Sequence, residues 1–576
     1  TGYANQWRSQ VYSNLRVTQQ LCKGLSITGM FSFDTYNYTS NRFTKSPNTY
    51  HATGRDANGN LIYEQTRQGT ENLAYSLSAK GDRTIYLEAA LNYKNTFGRH
   101  DVSGMLLFNQ SDEINTKATN VEEALPYRFR GLAGRFTYGF DDRYFAEFNF
   151  GYNGSENFAP KNRYGFFPSM GLGWVISNES FFEPLTGVIQ YLKVRGTWGQ
   201  VGNSQISGRR FAYLATVTDS SSTSYTFGKN MDQNFGTTAI NEYAVDVTWE
   251  VADKTDIGVD MRLLNNKLNF QFDYFKESRE GIYLRRSSIP AYVGMINNPY
   301  GNIGRVENKG VEFSINYANS WGDWSLSLMG NYSFNRNKVL EDDSTAAYPW
   351  QSTIGNKVGQ RFGLVALGLF ESYEEIAASP MQTGDTRPGD IKYKDVNGDG
   401  KIDEYDKVPI GWGSVPEIMY GFGFSVGWKN LSLTAMFQGA AHVDAMLSGE
   451  GVLPFSQGSS RGNLLSNITD RWTEQNPSQD VFYPRLSIGN INMNYETSTW
   501  WLKNTDYLRL KNIELSYRLP DRWMKRIHLD NARVFIQGVN LLTFSSFKIW
   551  DVELGDGRGA RYPNIASVSL GVNFNF

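Results

Sequence analysis

ASVSLGVNFNF, residues 566–576, ends the chain, and its reading decides the fold. Side chains on a strand alternate with period two. Val568, Leu570, Val572, Phe574 and Phe576 therefore share one face, while Ser567, Ser569, Gly571, Asn573 and Asn575 share the other. In a soluble sandwich the apolar face would meet a core and the polar face water. In a membrane-spanning strand the apolar face would meet lipid and the small polar face a wet lumen, and an aromatic last residue suits that arrangement. Recurrence of the pattern along the chain separates the two readings.

The pattern recurs almost everywhere, in pairs of segments joined by tight turns. The pairs are 6–20 with 25–38, 84–97 with 101–112, 127–140 with 143–153, and 167–177 with 190–202. They continue as 247–264 with 267–283, 306–319 with 324–337, 418–428 with 431–439, and 507–519 with 533–544, before the closing strand. Leu268, Phe270, Phe272 and Tyr274 alternate with Asn269, Gln271 and Asp273, as in the last eleven residues. Apolar positions repeat at two rather than at three and four, which excludes helices for these segments. Short turns on one side are answered by long polar excursions at 39–83, 203–246, 339–416 and 440–506 on the other. Outer-membrane barrels show that asymmetry, with short periplasmic turns and long extracellular loops. The expectation is an all-β, transmembrane antiparallel barrel with about 17 strands in this chain, several longer than the roughly 9–11 residues that cross hydrocarbon.

Composition agrees. Of 576 residues, 34 are Tyr, 36 Phe and 14 Trp, a load that suits aromatic girdles at membrane interfaces. The formal net charge of -2 and the lack of a basic cluster in the sequence argue against a nucleic-acid partner. One cysteine, Cys22, excludes an intrachain disulfide and a cysteine-rich metal site. The longest apolar run, FGLVALGLF at 362–370, is about half a helical span, so a membrane protein of this composition must cross with strands. The chain opens at Thr1 without a signal segment, an odd strand count departs from the even numbers of single-chain barrels, and both suggest that an amino-terminal part lies elsewhere.

The sharpest local motif is DVNGDGKIDEYD, residues 395–406, within a long-loop insertion at 385–411. Its spacing offers a calcium ion the oxygens of Asp395, Asn397, Asp399, the Lys401 carbonyl, Asp403 and Asp406, with Gly400 at the sharp turn. Asp at the last position has a shorter arm than the usual Glu and predicts monodentate or weak ligation. GSSRG at 458–462 matches a nucleophile pattern around Ser460, but a Ser/Gly loop is not the strand-to-helix elbow that exposes such a serine. His51, His100, His442 and His528 are too dispersed for a spacing-based metal or general-base motif, and GFGFSVG at 421–427 lies inside a strand, not before a helix. No catalytic constellation emerges, and the expectation is that the chain is not an enzyme. The loop aromatics Tyr348, Trp350, Trp412, Trp472, Trp500 and Trp501 are expected to pack against neighbouring loops more than to stack on sugars.

GDIKYKDVNGDGKID at 389–403, followed by IGWGSVPEIMYGFGFSVGWKNLSLTAMFQG at 410–439, resembles the signature region of SusC-like (SusC/RagA) TonB-dependent outer-membrane transporters. YGFFPSMGLGW at 164–174, YLKVRGTWGQVGN at 191–203, YLRLKNIELSY at 507–517 and VFIQGVNLLTF at 534–544 resemble further stretches of that family. The resemblance implies a full-length barrel of about 22 strands in the bacterial outer membrane, with an amino-terminal plug and a SusD-like surface lipoprotein as lid. Import of an oligosaccharide or peptide would be powered by TonB. Plug, TonB box and the first strands have no counterpart here, so residues 1–576 are expected to form the carboxyl-terminal barrel portion. A passive porin-type channel and a secreted, calcium-binding soluble β-protein that binds glycans are the rival readings.

Overall fold

The computed structural model describes residues 2–119, 121–206, 210–295, 297–456, 464–524 and 529–575. Its dominant feature is a 17-stranded sheet, antiparallel throughout the strand pairs given below. The chain divides into two compact units, Thr1–Asp141, Phe145–Met170 and Gly202–Trp249 against Asp142–Tyr144, Gly171–Val201 and Glu250–Phe576.

In the first unit, Gly2–Cys22 pairs with Leu25–Thr44, which pairs with Ala74–Phe97, then His100–Asn115 and Tyr127–Phe140. The ladder from Gly2 opposite Thr44 to Cys22 opposite Leu25 is turned by Lys23 and Gly24, whose φ of 82° needs glycine. Val247 and Trp249, expected inside a strand, lie just before it, since the strand is Glu250–Leu263. Both are buried, and Trp249 packs on Phe158 and Phe167 at 5.0 and 5.2 Å between ring centroids.

In the second unit, consecutive pairs join Glu250–Leu263, Leu268–Arg285, Tyr300–Trp321, Trp324–Glu341, Ile418–Trp428, Leu431–Ala441, Tyr507–Arg518, Asn531–Ser545 and Ser567–Asn575. The expected turn at Asn265 and Asn266 forms, with φ of 59° and 61°, a left-handed conformation that asparagine tolerates. Register aligns the apolar positions into rows. Trp321, Trp324, Trp428, Leu431 and Tyr517 form the row beside the short turns. Tyr274, Val311, Phe334 and Ile418 form the last apolar row toward the long loops. Ten residues separate Trp324 from Phe334 along their strand, which at about 3.3 Å per residue and a tilt of about 45° spans roughly 23 Å, close to the apolar band of a membrane barrel.

These rows are not covered by protein: Trp324, Leu328, Phe422 and Trp428 are 45%, 43%, 44% and 46% exposed. A second layer, which a soluble sandwich would need to bury them, is not what packs in this unit. Its core lies instead in the long loops. Leu364, Leu369, Ile391, Tyr393, Ile402 and Trp472 make one buried cluster. Leu447, Val452, Tyr483, Trp501, Phe547 and Val552 make another. The apolar run at 362–370 accordingly folds as the short strands Arg361–Gly363 and Ala366–Leu369, with Leu364 and Phe370 fully buried.

Strands also run further toward the long loops than alternation suggested. The strand expected from 84 begins at Ala74, and that expected from 306 begins at Tyr300. Backbone pairing needs no lipid-facing row, so it continues beyond the band. For the same reason the excursions contain hairpins of their own, Thr49–Arg55 with Leu61–Arg67 and Thr216–Phe227 with Gln233–Glu242.

Candidate functional site

Three long loops of the second unit, 342–417, 442–506 and 546–566, are locked by buried charge. Asp390 is 1% exposed, and its carboxylate accepts hydrogen bonds from Arg485 Nε and Nη2 (both 2.9 Å), Asn494 Nδ2 (2.9 Å), Asn492 Nδ2 (3.2 Å) and the Arg387 backbone N–H (2.9 Å). A carboxylate so deep requires that many donors, and here they fasten one loop to the next. Arg509, 2% exposed, reaches Asp551 at 2.7 Å and Glu553 at 2.9 Å, tying its strand to the third loop. The described residues of these loops form a shaped body rather than mobile tethers.

The motif at 395–406 sits on that body between two short pairings, Met381–Gln382 with Lys401–Ile402 and Arg361–Gly363 with Val408–Ile410. Asp395 accepts the N–H groups of Gly398 (2.7 Å) and Gly400 (2.9 Å), Asn397 that of Asp399 (3.0 Å), and Asp399 that of Lys401 (2.9 Å). Gly398 and Gly400, at φ of 76° and 81°, make the turn that puts these three side chains together. Asp403 caps the helical turn Glu404–Asp406, and Asp406 completes the capping box. Asp406 is fully buried and accepts N–H groups of Val396 (2.7 Å), Asn397 (3.4 Å) and Asp403 (2.9 Å). Three of its roughly four lone-pair sites are thereby taken. No group of three or more acidic, histidine or cysteine side chains placed to hold a metal occurs among the described residues.

A second node stands where the strands Trp324–Glu341, Ile418–Trp428 and Leu431–Ala441 meet the loops. Glu417, 6% exposed, accepts Arg336 Nη2 at 2.7 Å, lies 3.5 Å from Lys357 Nζ, and is 3.2 Å from Nδ1 of His442. The His442 ring stacks on Trp412 at 4.0 Å with a 5° interplanar angle. Burial alone would raise the Glu417 carboxyl, but hydrogen bonds from Arg336 and His442 and the charge of Lys357 outweigh it and hold the pKa below 4.5. Dispersed in sequence, His442 thus has defined partners in Glu417 and Trp412. His100 meets Tyr138 at 2.8 Å, and Ser460 and His528 lie outside the described residues.

On the polar face of the sheet, Arg195 gathers three aspartates from two neighbouring strands: Asp256 at 2.9 Å, Asp260 at 3.3 Å, and Asp273. Sequence reasoning passed over this cluster, as it did Asp390 and Glu417, because the partners are far apart in the chain. The loop aromatics pack as expected for the most part. Trp472 and Trp501 are 6% and 1% exposed, Tyr348 and Trp350 stack on each other at 4.6 Å, and Trp350 Nε1 donates to the Tyr405 carbonyl at 2.8 Å.

Lipid-height apolar rows, a polar opposite face and folded long loops define a membrane β-barrel protein. The family described as "TonB dependent receptor-like, beta-barrel" matches residues 2–541, and the chain belongs to it. That family places it in the outer membrane and is one of transporters and receptors, not of enzymes. The chain is 27% identical over 585 residues to TonB-dependent receptor P3 of Formosa agariphila, covering 96% of this chain and 54% of the relative. It is 26% identical over 465 residues to TonB-dependent receptor SusC of Bacteroides thetaiotaomicron, covering 77% of this chain and 43% of the relative. It thus spans about half the length of the curated relatives it matches. The RagAB peptide importer in the "open-open" state has the same fold, with a TM-score of 0.76 over 100% of this chain and 62% of that one, at 21% identity.

Proposed function

We propose that this chain is the barrel portion of a SusC-type, TonB-dependent importer of an oligosaccharide or peptide, working with a SusD-like surface lipoprotein as lid. The observation that carries the proposal is membership of the TonB-dependent receptor barrel family over nearly the whole chain, with SusC among its relatives. The geometry adds a reason to prefer it to a passive pore: loops cored by Trp501 and Tyr393 and locked at Asp390 offer a rigid platform on which a partner could seat. Deleting the full-length gene, or TonB, should abolish growth on one class of oligomer and uptake of a labelled oligomer. Uptake that persists without TonB would indicate the porin reading. Purification from outer membranes with a lipoprotein of comparable size would support the lid.

As a second reading, we propose that 395–406 binds one calcium ion. The oxygen spacing and the placement of Asp395, Asn397 and Asp399 on one turn support it, with Lys401 offering a carbonyl and Asp403 a carboxylate. Asp406 has about one lone-pair site to spare, so it would ligate through one oxygen. An ion there would neutralise carboxylates that repel one another and stiffen the loop body. Terbium luminescence on the full-length receptor, competed by calcium, tests this; no sensitised emission at millimolar terbium would overturn it.

A further inference from the structure

The outward face of the sheet changes character abruptly at its long-loop edge. Directly beyond the last apolar row, Tyr274, Val311 and Phe334, the same face of the same three strands carries Lys276, Lys309 and Arg336 side by side. The next row carries Glu307 beside Lys338. Glu307 binds Lys276 at 2.8 Å and lies 3.7 Å from Lys309, and Glu417 binds Arg336, so four cations in these rows stand against two carboxylates. The cations are not sequestered by those pairs: the side chains of Lys276, Lys309 and Arg336 remain 49%, 59% and 49% exposed. Arg336 and Lys338 also line a cleft of about 210 Å³ with Lys357 and Trp412, where the three cations face one carboxylate, Glu417.

The other unit also carries cations beyond an apolar row, one to each row. Past Ala89, Phe108 and Leu132, the outward face reads Leu87, Gln110 and Arg130, and then Ile85, Asp112 and Arg128. With Arg163, Arg128 and Arg130 line an open cleft of about 390 Å³ that also holds Asp112 and Glu156. Arg128 pairs with Asp112 at 2.8 Å, while Arg163 Nε is buried with no hydrogen-bond acceptor among the described residues. Charge balance over the whole chain is near neutral, so the rows of Lys276, Lys309, Arg336 and Lys338 in the second unit are not a consequence of composition.

A charge row at the edge of a lipid-facing band lies at headgroup depth, and basic side chains there attract anionic headgroups. We propose that Lys276, Lys309, Arg336 and Lys338, together with Arg128 and Arg130, bind the phosphate groups of lipids in the leaflet on the long-loop side. Each cation holds a headgroup oxygen by a charge-assisted hydrogen bond, while acyl chains lie on the Phe334 and Phe108 rows below. The site rests on the membrane placement of the barrel and not on the solute it imports.

The test is native mass spectrometry of the full-length receptor in neutral detergent with three probes: bis-phosphorylated lipid A, the same lipid dephosphorylated, and inorganic phosphate. Binding of the bis-phosphorylated lipid at least tenfold tighter than the dephosphorylated one is expected. The K276Q/K309Q/R336Q/K338Q variant should lose at least tenfold in affinity, R128Q/R130Q should lose a smaller factor, and K548Q on a loop should lose nothing. Heat-modifiable migration on gels reports whether each variant is folded. If the quadruple variant fails to fold, weakening of wild-type binding by salt between 50 and 500 mM serves instead, since exposed charge pairs are screened over that range. Equal binding of both lipids, unchanged affinity in folded variants, or competition by millimolar inorganic phosphate would overturn the proposal, the last by assigning the site to a soluble anion.

Discussion

Asp390 and Asp395 lie five residues apart and were unequally legible. Asp395 belongs to a motif whose partners are within twelve positions, so spacing alone exposes it. Asp390 is organised by Arg485, Asn492 and Asn494, about a hundred positions away, and nothing local marks it. Replacing Asp390 by Ala strands the Arg485 guanidinium and should cost about 3–5 kcal/mol of local stability. Hydrogen exchange should then show lost protection in 385–394 and 485–494, with the strands unchanged. Asp399→Ala should weaken terbium binding at least tenfold. Asp406→Ala should loosen the turn even without metal, by about 1–2 kcal/mol, since it removes a capping box. Glu417 adds a pH dependence. Its folded pKa lies below its unfolded one, so its stabilisation is complete above the ordinary value of 4.5 and is lost as pH falls through the depressed value. Protection of the 411–417 segment, taken as exchange relative to the intrinsic rate at each pH from 6 to 3, should fall only in the acidic part of that range.

At the level of the strand, alternation was a sound guide wherever one face meets lipid and the other water. All seventeen expected segments are strands of the sheet, and the Asn265–Asn266 turn forms as read. Strand ends were less legible, because hydrogen bonding continues into the long excursions, beyond the height that lipid contact sets. The two faces should respond oppositely to charge. Phe422, stacked on Phe437 at 4.9 Å within the apolar rows, should cost about 2–4 kcal/mol when changed to Lys. Gln271→Lys on the polar face should cost little. The denaturant midpoint of refolding into detergent or lipid separates the two; equal losses would mean that the faces are misassigned.

For the whole molecule, the exposed rows and the cored loops together exclude the soluble reading. A secreted β-protein would bury Phe422 and Trp428, whereas here the large buried side chains include Trp501, Tyr393 and Tyr483, all in loops. Family membership then makes coupled import the function to test. Uptake of labelled oligosaccharide and labelled peptide by cells with and without the full-length gene should show loss of one and not the other, which assigns the solute class.

The sequence by itself determined the strands, their faces, their turns and the side on which the loops are long. Each of these follows from a period of two, from residues adjacent in the chain, or from the height of a lipid bilayer. Tertiary structure alone decided that the loops carry the core, that Asp390, Glu417 and Arg195 are charge nodes, and that cations from separate strands align in one row beyond the lipid-facing band. Those features depend on register between strands and on contacts across a hundred residues, and no spacing within a single segment encodes them.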